Sequence, residues 1–81
     1  MAEFRFTVLL NAANIRLIMS RRNVTHMEIA RDLSTTAVYW SMVLNGKKGV
    51  SPRMGKRITT HPVFRGRKWD DLFTMRDHEG I

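Results

Sequence analysis

Apolar side chains recur along this chain at spacings that shift from segment to segment, and each shift marks an element boundary. Phe4, Phe6 and Val8 alternate with Arg5 and Thr7, the two-residue period of a strand. The alternative is that this stretch leads into the first helix, with Thr7 as its cap. From Val8 to Arg22 the composition is helical, and Leu10, Ala13, Leu17 and Ile18 make one apolar face. Arg16, Arg21 and Arg22 lie off that face, and the late arginines suit the negative end of the helix dipole. Asn23 tolerates the left-handed conformation that stops a helix. Thr25 and Glu28 have capping-box spacing, which predicts a second helix from His26 to Leu33. Its Ile29, Ala30 and Leu33 are expected in the core, with Met27 at the core edge. Ser34, Thr35 and Thr36 form a polar turn, and Thr36 caps a third helix, Ala37 to Leu44, with Trp40 and Val43 inward. Asn45 and Gly46 end it through a positive-φ position. Ser51 and Pro52 open a fourth helix reaching Thr59, with Met54 and Ile58 inward. Gly55 weakens that helix by ~1 kcal/mol relative to Ala, and His61-Pro62 breaks it. Trp69, Leu72 and Phe73 predict a short final helix that closes the core, before a frayed HEGI end. The expected fold is all-α: four to five helices in one domain, residues 1–81, with a helix-turn-helix at 25–46.

Composition narrows the function. The 81 residues suffice for one modest core. Without cysteine there are no disulfides and no thiolate metal sites, which suits the cytoplasm. No apolar run reaches the roughly 20 residues that span a bilayer. The opening MAEFRFTVLL carries Glu3 and no basic region before its apolar residues, and reads as mature structure. The formal net charge is +7, and its distribution matters more than its size. No acidic residue falls between Asp32 and Asp70, whereas Lys47, Lys48, Arg53, Lys56, Arg57, Arg65, Arg67 and Lys68 do. The partner expected from this balance is a polyanion. A basic membrane-surface helix is a weaker fit, because these bases are spread among Gly, Pro and Ser.

From Ala30 to Gly46 the chain resembles the Cro/repressor helix-turn-helix family, also called XRE-like. Ala30 matches the small residue that lets the third helix approach the second. Leu33 matches the buried aliphatic at the second helix's end. Ser34, Thr35 and Thr36 match the turn, Trp40 and Val43 the core positions of the recognition helix, and Asn45-Gly46 its stop. Three positions depart from the family: Ser34 stands where glycine is usual, and Met19 and Leu44 replace a buried Arg–Glu pair. An apolar pair in place of such an ion pair is often neutral or stabilising. The run VLNGKKGVSPRMGKRI, residues 43–58, also looks like a lactose-repressor-family headpiece. The Cro/repressor resemblance implies a lambda-repressor-like domain that binds a palindromic DNA operator as a homodimer, in the manner of a small phage or mobile-element repressor.

A recognition helix needs an inward face that fixes its angle and an outward face that fits the major groove. Here the outward residues are Ala37, Val38, Ser41 and Met42, with Tyr39 at the flank. The family match implies base contacts from Ala37, Val38 and Met42. None of these can form a bidentate hydrogen bond, but Ala and Val pack on thymine methyls, so A·T-rich or methyl-rich half-sites are expected. The alternative for Val38 and Met42 is burial against another element. Backbone contacts are expected from Thr25 and His26 at the start of the second helix. Thr36 and Asn45 bracket the third helix, and Lys47 and Lys48 follow it. Arg53 is similar to an arginine that relatives insert in the minor groove. His26, His61 and His78 lack metal-ligand spacing. Asp70-Asp71 is explained by the helix dipole. No phosphate-cradling glycine loop is present. No cofactor, metal or catalytic activity is expected. The rival reading is a protein-interaction module, antirepressor or antitoxin-like, that grips a second protein with the same fold.

Overall fold

The computed structural model describes residues 6–77. Its elements run β1 (Phe6–Leu10), α1 (Ala12–Arg22), α2 (His26–Asp32), α3 (Ala37–Leu44), α4 (Pro52–Thr60), α5 (Trp69–Leu72) and β2 (Phe73–Asp77). The all-α expectation is therefore corrected. Five helices are joined by a two-stranded antiparallel sheet in which Phe6 pairs Asp77, Val8 pairs Met75 and Leu10 pairs Phe73.

The reason lies at Asn11. Its N–H donates to the Leu72 carbonyl (2.8 Å), which extends the ladder by one residue, and its side chain accepts from Asn14 N (3.4 Å) to cap α1. Val8, Leu9 and Leu10 thus belong to a strand, Thr7 is not a cap, and α1 starts at Ala12. The apolar face of α1 moves accordingly. Ile15, Ile18 and Met19 are buried, while Ala13 is exposed and Leu17 is 47% exposed. Asn23 ends α1 at φ 54° and donates to the Met19 and Ser20 carbonyls.

The central helices follow their sequence signals closely. Thr25 Oγ1 accepts from Glu28 N (3.1 Å), and Glu28 Oε1 accepts from Thr25 N (2.8 Å). Ile29, Ala30 and Leu33 are buried, but Met27 is 73% exposed and does not reach the core. Thr36 Oγ1 accepts from Tyr39 N (3.0 Å) and sets the start of α3. Gly46, at φ 78°, turns the chain out of α3, and its N–H donates to the Val43 carbonyl. Ser51 caps α4 with Pro52 in the first turn, and α4 runs one residue beyond Thr59.

The core gathers Ile15, Ile29, Trp40, Ile58 and Phe64, all fully buried, with Leu10 and Phe73 arriving from the sheet. Each such side chain contributes about 1.5–3 kcal/mol by leaving water. Phe73 serves the core from β2 instead of α5, and Trp69 stays 46% exposed, so only Leu72 of α5 closes the core. Phe4 and the HEGI end lie outside the described residues. The sheet is braced from its other side, where Val50 N donates to the Val8 carbonyl (2.7 Å). Gly49 permits that approach: a Cβ there would sit 2.6 Å from Thr7 Cγ2.

Candidate nucleic-acid interface

The site is built on the angle between α2 and α3. The turn after α2 takes Ser34 to φ 60°, a left-handed value for a non-glycine residue. Ser34 N donates to the Arg31 carbonyl and Thr35 N to the Ala30 carbonyl, which ties up the end of α2. Arg57 Nη1 donates to the Leu33 carbonyl (3.0 Å), and so pins α4 to the same corner. His61 adds a second pin. Its Nδ1 accepts from Val63 N (3.1 Å), which leaves Nε2 to donate to Asp32 Oδ2 at 2.9 Å. Both ring nitrogens are spent on the fold, so His61 has neither a free base nor a free ligand position. No group of metal-binding side chains occurs among the described residues.

Trp40 anchors α3. Its indole is wholly buried, and its Nε1 donates to His26 Nδ1 (3.0 Å). The neutral His26 ring therefore carries its proton on Nε2. His26 is exposed, so that proton is available on the surface beside α3. Thr25 is differently placed, because its hydroxyl and N–H are both engaged by Glu28. The Thr25 N–H holds the Glu28 carboxyl below its ordinary value, and a carboxylate already occupies the head of α2.

The base-reading candidates divide. Ala37, Val38 and Ser41 are exposed, Val38 to 71%. Tyr39 is half-buried against the core, and Met42 is half-buried. At the far end of α3, Asn45 accepts from Arg16 Nη2 (2.8 Å) and donates to Ser41 Oγ (3.3 Å). This relay brings a guanidinium from α1 to the C-terminus of α3, where a positive charge opposes the helix dipole's negative end. Arg16 is the residue that sequence reasoning left out of the site. Its partner is 29 positions away, and no local pattern announces it. Thr36 is exposed with its oxygen occupied by Tyr39 N.

Lys47, Lys48 and Arg53 are exposed, and no carboxylate pairs with them among the described residues. α3 itself carries no charged side chain. The surface is therefore an uncharged helix followed by cations that pair with no carboxylate among the described residues. No helix of the described residues is long and apolar enough to cross a membrane. Comparison with family models, curated proteins and solved structures returned no match.

Proposed function

We propose that this protein is a sequence-specific, duplex-DNA-binding transcriptional regulator of the Cro/repressor type, acting in the cytoplasm as a homodimer. The observation that carries the reading is α3: locked by Trp40, it offers exposed Ala37 and Val38 and is followed directly by unpaired Lys47 and Lys48. Such a helix has the inward anchor and outward face that major-groove insertion requires. Lys47, Lys48 and Arg53 supply sequence-independent attraction to phosphates, as does the His26 Nε2 proton to a smaller extent.

A salt titration tests the reading. Binding through six or so phosphates predicts a log–log slope of about −5 between affinity and salt concentration. Lys47→Ala should weaken binding to all sequences equally and flatten that slope by about one. The second reading, a module that grips another protein, is favoured by the 71% exposure of Val38. A flat salt response would replace the first reading with the second.

The homodimer has a candidate surface. β1 is covered on its outer side by Val50, but β2 has no strand on its other edge among the described residues. Exposed Trp69 and Met75 lie at that end of the molecule, beside a groove of about 340 Å³ lined by Val8, Val50, Pro52, Gly55, Trp69 and Phe73. A second copy adding its own β2 antiparallel would give a four-stranded sheet and cover Met75. Two recognition helices would then address half-sites about one turn, ~34 Å, apart.

A further inference from the structure

We infer that α3 reads DNA by the C5-methyl group of pyrimidines, so that 5-methylcytosine substitutes for thymine at the contacted positions. The inference rests on the DNA-binding reading above and names what that face can distinguish. The argument is one of elimination among the side chains that reach outward. α3 holds no Arg, Lys, Asn, Gln, Asp or Glu, so no bidentate contact to a base edge is available from it. Ser41 is the exposed polar residue within the helix, and its oxygen is already engaged by Asn45, whose carbonyl is in turn held by Arg16. The remaining hydroxyl proton makes a single-point contact that accepts several base edges. Tyr39 is half-buried against the core, and the Thr36 oxygen is committed to the start of the helix.

Ala37 and Val38, the other exposed residues of α3, are pure hydrocarbon, and half-buried Met42 brings no N–H or O–H group. The major groove offers hydrocarbon one distinctive feature, the methyl group at C5 of thymine. 5-Methylcytosine carries the same methyl at the same place. It differs from thymine in presenting an amino donor where thymine has a carbonyl acceptor, an exchange that the hydrocarbon side chains of Ala37 and Val38 do not sense. The unpaired Lys47, Lys48 and Arg53 make duplex DNA the occupant that fits this face.

The experiment uses the full chain. Duplexes retained from a random synthetic pool define a site. Four versions of that site are then compared at each thymine: T·A, U·A, 5-methyl-C·G and C·G. The two methylated versions should bind alike. Each should bind about fourfold more tightly than its unmethylated counterpart, the size expected for one carbon group withdrawn from water. Val38→Ala should narrow that gap; Val38 is exposed, so the core is untouched. Lys47→Ala should weaken all four versions equally and leave the gap intact. If duplexes are retained but uracil serves as well as thymine, or cytosine as well as 5-methylcytosine, the inference is overturned and the DNA reading stands. If no duplex is retained, both are overturned.

Discussion

Ser34 shows how one side chain can carry a fold's strain. It sits at φ 60° in the corner between α2 and α3, where a Cβ crowds the following carbonyl. Its neighbours hold it there through the Ser34 and Thr35 backbone hydrogen bonds. Ser34→Gly should raise stability by about 1 kcal/mol, because it removes that crowding while leaving every hydrogen bond in place. Urea unfolding measures it, and an unchanged midpoint would mean that the serine is not strained. The polar turn at Ser34 was readable in the sequence, but its left-handed backbone was not, because a serine carries no signal for positive φ. The His26–Trp40 bond was not, because spacing can place the indole inward but cannot say which ring meets its N–H.

Between helices, most of what matters is local, and local chemistry was readable. The start of α2, the starts of α3 and α4, and the end of α3 follow from Thr25, Thr36, Ser51 and Gly46 acting within their own turns. The capping box has a pH signature. Its hydrogen bonds hold the Glu28 carboxyl below the ordinary value, so the folded state prefers it ionised. Its stabilisation is full above the carboxyl's unfolded value and is lost as pH falls through the lowered folded value. Urea midpoints of wild type and Glu28→Gln should therefore differ at neutral pH and converge on acidification; a pH-independent difference would contradict the cap. The sheet was the element that sequence reasoning missed. The β1 signal was visible in Phe6 and Val8, but its partner lies more than sixty residues away, and the alternation of Phe73-Thr74-Met75-Arg76 is only four residues long and follows directly on a helical pattern that claims Phe73. Once Leu10 is counted into a helix, the α1 face rotates with it and Ile15 and Met19 are lost from view.

At the scale of the whole molecule, α3 and the sheet are neighbours: β1 contacts α3, and the Val50 N–H that follows the lysines donates to the Val8 carbonyl. Trp69 and Met75 are exposed on α5 and β2. If a second copy adds to β2, a lysine there should prevent it, as edge lysines do in sheets generally. Met75→Lys is expected to sediment as a monomer at concentrations where the wild type is dimeric, and to bind a single half-site with little loss. A variant that remains dimeric would move the interface elsewhere. The two tryptophans are separately visible. Trp40 is sealed in the interior on the inward face of α3, whereas Trp69 is 46% exposed, with its ring 5.4 Å from that of Phe73. Intrinsic fluorescence thus comes from two emitters in unlike surroundings. Iodide should quench Trp69 and spare Trp40, self-association should shift only the former, and the protein needs no added dye to report whether its Trp69 surface is covered.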